Sequence, residues 1–323
     1  GFRMTWQNVA SAKKYGGRCM TYTEVIGIDV QNGVVQGVTI KDRWTGKVDK
    51  IACDYVISAA GSFAGRVAAM AGLNVNVKPS KGTLIAFNHR ICDRVIHRLH
   101  KPSDADIFVP HGSITILGTS SIDSAPEDTH TETDEVLKMM EVGKATFENI
   151  YDYRILRVFA GTRPLYSADP NAGGRNASRG FVALDHAHDG VKNFMSVCGG
   201  KFTTYRLMAE KVCDMVCAQL GVTTKCRTAE ENLVDDPTPA LMSRARKVFP
   251  TYGAELAASR LGNEKLERVM DRIESKPETK QLVCECENVT LAEIQEIAAE
   301  PSSHTVSDVR RRTPVSYTHL TLP

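Results

Sequence analysis

Residues 196–210 read SVCGGKFTTYRLMAE, and the fold is decided there. An apolar strand, NFMSVCGG, runs into Gly199 and Gly200 and then directly into a helix, KFTTYRLMAEKVCDMVCAQLG, of about six turns at 3.6 residues each. Lys201, Thr203 and Thr204 fall in the opening turn of that helix. Such a junction exposes unpaired backbone N–H groups at the positive end of the helix dipole, where an anion or an electron-rich ring edge is well placed. Paired glycines remove the side chains that would block the approach, and Lys201 adds a mobile charge that can polarise an oxygen. The same residues also read as a glycine-rich turn with an exposed lysine, and pattern alone leaves both readings open.

Working outward, AGTRPLYSAD places Arg163 in a turn after the strand RILRVFA, and Arg179 opens the strand of SRGFVALDH. Two guanidinium groups can each donate a paired fork to phosphate oxygens, although either alone reads as a surface ion-pair partner. His186 and His188, in LDHAHDG, read first as loop histidines. Further upstream, KVDKIACDYVISAAG reads as one apolar strand ending in a small-residue turn at Ala60-Gly61, followed by a helix in FAGRVAAMAGL. A backbone there can approach a cofactor closely. Before it lies a meander, with Asn32-Gly33 as a hairpin signal and a second turn at Thr45-Gly46.

Between Lys81 and Thr119 the runs KGTLIAF, ADIFVP and GSITILGTS predict an antiparallel sheet, and TETDEVLKMMEVGKATFENI a helix with acidic residues in its first turn. From about residue 223 to 280 the chain reads as a connection with small helices. After it, Cys284 and Cys286 stand just ahead of a capping box, Thr290 to Glu293, and a short helix. Two thiolates from one loop are half of what an iron–sulfur cluster needs; the alternative is a pair of reduced structural thiols.

Composition bounds the rest. A chain of 323 residues is long enough for two domains, and 40 basic against 38 acidic residues leave a net charge of only +2, which gives no nucleic-acid footprint. Nine cysteines scattered along the chain read as reduced thiols, and with no long apolar run or signal peptide the cytosol is the default location. Gly-x-Ser-x-Gly, His-Glu-x-x-His and Walker patterns do not occur, which removes the main support for hydrolase, zincin and nucleotide-triphosphatase readings.

Taken in order, VISAAGSFAGR, SKGTLIAF, ILGTSSID, FAGTRPLYSAD, SRGFVALDH and CGGKFTTYRLMAE resemble the FAD-dependent glycerol-3-phosphate dehydrogenases over roughly residues 2–220. LVCECENVTLAEI and DVRRRT resemble the small [2Fe-2S] module on the catalytic A-subunit of the anaerobic enzyme. The resemblance implies a mixed α/β fold. A Rossmann-like FAD-binding domain of the glutathione-reductase and D-amino-acid-oxidase type, lacking its first βαβ unit, takes residues 1–80 and 166–222. An antiparallel substrate domain takes 81–165, a linker with small helices 223–280, and a partial iron–sulfur module 281–313. The last stretch, 314–323, has no counterpart in the family and is expected to be a non-native tail.

It further implies that Arg163 and Arg179 hold the substrate phosphate, and that Lys201, with Thr204, sits at the reacting hydroxyl beside the flavin ring. Gly199, Gly200 and Thr203 line the ring, Ala60 and Gly61 approach the flavin nucleotide, and Cys284 and Cys286 are cluster ligands. Ser58 stands where the family commonly has Asn. No Gly-x-Gly-x-x-Gly occurs, so the segment that seats the FAD pyrophosphate is expected to precede Gly1. The implied reaction is oxidation of sn-glycerol 3-phosphate to dihydroxyacetone phosphate. Electrons would pass to partner subunits and a membrane quinone, with the chain cytoplasmic and peripherally associated with the inner membrane. The alternatives are a flavin enzyme acting on another hydroxy or amino acid, and a non-catalytic electron-transfer chain.

Overall fold

A computed structural model of the chain describes residues 1–99, 104–167, 180–250, 252–285 and 287–315. Arg179 and Cys286 therefore lie outside the described residues. The chain divides into two compact units, one of Tyr22–His111 and Thr115–Glu230, the other of Gly1–Thr21, Gly112–Ile114 and the chain from Glu231 on.

The first unit opens with an antiparallel meander, β1 (Thr23–Gln31), β2 (Val34–Asp42) and β3 (Val48–Ala52). Its first turn is the expected one: Asn32 and Gly33 both have positive φ, 51° and 73°, the backbone a two-residue hairpin of right-handed twist requires. At the second turn the Asp42 carboxylate accepts the N–H groups of Trp44 and Thr45 at 2.7 and 2.8 Å, and Gly46 takes φ 76°. The run read as one strand, KVDKIACDYVISAAG, is two. β3 belongs to the meander, whereas β4 (Val56–Ser58) pairs with a different sheet. The break falls at Cys53–Tyr55, where the chain leaves β2 and the side chain of Asn193 donates to the Asp54 carbonyl.

A larger antiparallel sheet follows. β5 (Val77–Phe87) is flanked by β10 (Ile155–Tyr166) and β8 (Ile114–Gly118), then β7 (Ile107–His111) and β6 (Ile96–His97), while the short β9 (Ile122–Asp123) pairs with β5 at Ser80 and Lys81. Ile85, Phe87, Phe108 and Leu117 from this sheet close a core with Met139 and Met140 of the helix Thr133–Lys144 and with Ile150. The third sheet runs β11 (Phe181–Asp185), β12 (Phe194–Gly199), β4, with β12 antiparallel to β11 and parallel to β4. Phe194 and Cys198 of β12 pack with Ala64 and Ala68 of the helix Ala64–Ala69 and with Ile28 and Val35 of the meander.

The second unit is mainly helical. The stretch read as a connection carries a core of its own: Met242, Ala245 and Val248 of the helix Pro239–Val248 pack with Ala254 and Ala257 of Gly253–Leu261 and with Leu266, Val269 and Met270 of Asn263–Ser275. Ala292, in the helix Leu291–Ala298 that follows the hairpin β13 (Leu282–Cys284) and β14 (Val289–Thr290), joins this core. The N-terminal helix Phe2–Lys14 also belongs here; Trp6 carries the Arg312 guanidinium over its ring at 4.1 Å from the centroid. No helix among the described residues is long and apolar enough to cross a membrane.

Candidate active site

Three segments of the first unit meet at one place. β4 and β12 are parallel neighbours, in register from Val56↔Phe194 to Ser58↔Ser196, so their carboxyl ends lead out side by side. β4 ends in Ala59, Ala60 and the single 3₁₀ turn Gly61–Phe63, and β12 ends in Gly199, followed by Gly200 and Lys201. The crevice outside the carboxyl ends of parallel strands is where open α/β sheets bind ligands. The third segment is β10, tied in by Ser62, whose hydroxyl donates to the Thr162 carbonyl at 3.0 Å.

The backbone is built for close approach. Gly199 and Gly200 have φ of 75° and 76°; a Cβ at Gly199 would strike the Gly180 carbonyl oxygen, and one at Gly200 would lie 2.5 Å from Met208 Sδ. Gly61 has φ 56° and, like Gly161 on β10, would point a Cβ into open space. Ser58 is 4% exposed, and its hydroxyl makes no hydrogen bond among the described residues. Room beside two glycines and an unsatisfied hydroxyl at the end of β4 suit a flat polar heterocycle such as a flavin.

The junction differs in detail from its sequence reading. The helix starts at Tyr205, and Phe202–Thr204 form a 3₁₀ turn ahead of it, so Thr203 and Thr204 precede the helix instead of opening it. Two N–H groups expected to be open are satisfied within the protein, Gly200 donating to the Gly180 carbonyl at 2.9 Å and Lys201 to Thr204 Oγ1 at 3.1 Å. What remains at the junction is the exposed Lys201 side chain, beside Phe202 and Thr203, which are also exposed. Just before it, burial pushes the Cys198 thiol up to about 11.

Arg163 is not in a turn. β10 continues through it, with Arg163 opposite Ser80 and Pro164 opposite Pro79; the Pro79 carbonyl faces away from β10 and accepts the Ser124 N–H at 3.1 Å, so this rung needs no donor from either proline. β10 is the edge of its sheet, where proline is tolerated. The half-buried guanidinium crosses β5 at Gly82, which has no Cβ to collide with it. One terminal nitrogen donates to Thr119 Oγ1 at 2.7 Å and to the Ser120 carbonyl at 3.0 Å; the other makes longer contacts to the Ser80 and Lys81 carbonyls, 3.5 and 3.4 Å.

Behind the arginine lies a buried charge network that reading the sequence missed. Lys81 on β5 and Glu135 on the helix Thr133–Lys144 are 5% and 9% exposed. Lys81 Nζ donates to the His130 carbonyl at 2.7 Å and faces Glu135 Oε2 at 3.5 Å and Asp128 at 3.8 Å. The Ser120 hydroxyl donates to Glu135 Oε1 and accepts the Thr83 N–H at 2.9 Å. Burial acts to raise the Glu135 pKa, but the Ser120 hydrogen bond, the neighbouring Thr83 hydroxyl and the Lys81 charge outweigh it and hold the carboxyl below its ordinary value. The signal was present in the helix: Glu135 is four residues before Met139 and so lies on the face that meets the core.

His186 is structural. It is 1% exposed, with Nδ1 at 2.8 Å from Asp189 and Nε2 at 2.9 Å from Ser196 of β12, and His188 is exposed in the same 3₁₀ turn. In the second unit, Cys284 ends β13, and among the described residues no group of three or more His, Cys, Asp or Glu side chains is placed to hold a metal ion.

The model of the FAD-dependent oxidoreductases matches residues 1–214. The chain belongs to that family. It is 37% identical over 322 residues to the A-subunit of the anaerobic glycerol-3-phosphate dehydrogenase of Escherichia coli K12, covering 97% of this chain and 58% of the relative. It is 37% identical over 329 residues to the A1-subunit of the anaerobic glycerol-3-phosphate dehydrogenase of Haloferax volcanii, covering 98% of this chain and 55% of the relative. The chain thus spans little more than half the length of these relatives. The glycerol-3-phosphate dehydrogenase of Bacillus halodurans, solved in complex with FAD, superposes with a TM-score of 0.73 at 22% identity, covering 98% of this chain and 64% of that one, which shows the fold.

Proposed function

We propose that this chain carries the substrate half of an enzyme that oxidises sn-glycerol 3-phosphate to dihydroxyacetone phosphate with FAD. The observation that carries the reading is the convergence of the β4 and β12 ends, both glycine-bearing, on the strand that presents Arg163. FAD, when bound, supplies the two-electron acceptor for the alcohol carbon.

The chain's own residues bind and orient. Arg163, with Arg179, holds the phosphate dianion, since a guanidinium fork matches phosphate oxygens. The preset position of Arg163 across Gly82 means that little side-chain freedom is lost on binding. Lys201 stands at the junction as a cation that stabilises negative charge developing on the substrate oxygen as its proton leaves. Gly199, Gly200, Thr203 and Thr204 would line the flavin ring, and Ala60 and Gly61 would lie against the flavin nucleotide. Cys284 and Cys286 would supply two thiolates to a [2Fe-2S] cluster, a one-electron carrier that would serve partner subunits and a membrane quinone, with the protein cytoplasmic and peripheral to the membrane.

Anaerobic mixing of the FAD-loaded protein with substrate tests the reading. Bleaching of the flavin band by sn-glycerol 3-phosphate, and not by glycerol or an amino acid, is the expected result. Equal bleaching by an amino acid, or none by the phosphate, would overturn it.

A further inference from the structure

We propose that Glu135, paired with Lys81, positions the Arg163 guanidinium for the substrate phosphate and does so through Ser120. The inference rests on the reading of Arg163 as a phosphate-holding group and adds to it residues that touch no substrate.

The connection is continuous. Glu135 Oε1 accepts the Ser120 hydroxyl, and that hydroxyl accepts the Thr83 N–H, so the Ser120 side chain is fixed between a helix and β5. The carbonyl of the same Ser120 accepts from Arg163 at 3.0 Å, and the Thr119 hydroxyl, which also donates to the Ser120 carbonyl at 3.1 Å, accepts from Arg163 at 2.7 Å. One terminal nitrogen of the arginine thus bonds at two points to a dipeptide that the Glu135 carboxylate holds in place.

Stability does not account for this arrangement. A buried ion pair contributes little to stability unless its geometry is close and its remaining polar atoms are satisfied. Lys81 and Glu135 meet at 3.5 Å, and Glu135 Oε2 makes no hydrogen bond among the described residues. What an ionised carboxylate supplies instead is a strong, directional acceptor for Ser120. Lys81, held by the His130 carbonyl and by Asp128, keeps that carboxylate charged.

Steady-state kinetics of the FAD-loaded protein with sn-glycerol 3-phosphate and a soluble dye acceptor test the proposal, with flavin content matched across variants. Glu135→Gln keeps the shape and removes the charge; KM is expected to rise about tenfold, the loss of one charge-assisted hydrogen bond, with kcat within about twofold. In an Arg163→Ala background the same change is expected to move KM less than about twofold, because the group it positions is gone. A KM unmoved by Glu135→Gln, or raised equally in both backgrounds, overturns the positioning role. If Glu135→Gln does not fold, Ser120→Ala, which removes the bridging hydroxyl and keeps the backbone, replaces it in both arms with the same expectations. Arg163→Ala alone separates the two claims. A KM unchanged by it overturns the substrate reading, whereas a raised KM with Glu135→Gln silent overturns the positioning role and leaves that reading standing.

Discussion

Each unit of this molecule contains a buried ion pair, and the two are built to different standards. Arg260 and Glu293, in the helical unit, have side chains 1% and 0% exposed and meet at 2.7 Å. Every strong acceptor is used: Glu293 Oε1 takes two N–H groups of Arg260, Glu293 Oε2 takes the N–H and hydroxyl of Thr290, and Arg260 also donates to the carbonyls of Glu287 and Asn288. The pair in the other unit, Lys81 and Glu135, is longer and leaves one carboxylate oxygen without a hydrogen bond among the described residues. A closed pair locks a loop to a helix cap. The open one leads through Ser120 to Arg163.

The comparison is most easily broken at its closed end. Arg260→Ala leaves the Glu293 carboxylate buried and uncompensated, and is expected to cost about 3–5 kcal/mol in denaturant unfolding. Glu135→Gln is expected to cost clearly less in the same measurement; equal losses would erase the distinction. Next in size is Gly82→Ala. Its Cβ would fall on the Arg163 guanidinium and 2.7 Å from Thr119 Oγ1, so the arginine must leave its seat. Overpacking of this kind costs about 1–3 kcal/mol, and KM for the phosphate substrate is expected to rise about tenfold or more in steady-state kinetics.

A smaller effect follows from charge. The folded-state pKa of Glu135 lies below its ordinary value of 4.5, so in the window between the two the unfolded chain binds the proton more readily. Its contribution to stability is present above 4.5 and is lost as the pH falls through the folded value. The gap in unfolding midpoint between the native protein and Glu135→Gln should therefore narrow on acidification, as followed by thermal unfolding at a series of pH values. The smallest effect concerns Cys198, 1% exposed with its pKa at about 11: it should resist a thiol reagent in the folded protein at neutral pH and react on unfolding.

Local chemistry made much of this legible beforehand. Asn32-Gly33 needs positive φ at both residues, and Thr290 with Glu293, three residues on, forms its capping box, with Glu293 N–H donating to Thr290 Oγ1 at 3.3 Å. The turn after β12 was readable because Gly199 and Gly200 both take positive φ. Other features depended on pairing that no local window contains. KVDKIACDYVISAAG reads as one strand because no Gly or Pro interrupts it before Gly61, and only its partners, β2 and β12, divide it. Arg163 stays in a strand because Pro164 meets Pro79 across the ladder. The network behind it draws Lys81 from the middle of β5, Ser120 from just beyond β8 and Glu135 from a helix, each unremarked in its own segment.

The central claim is that Arg163 meets the phosphate of the substrate. Flavin reduction by sn-glycerol 3-phosphate, followed anaerobically over a range of substrate concentrations, tests it in the native protein and in Arg163→Ala with equal flavin content. Loss of a charge-assisted hydrogen-bonded contact corresponds to about 10- to 100-fold, so half-maximal reduction should require that much more substrate in the variant. The same half-saturation in both proteins would contradict the account.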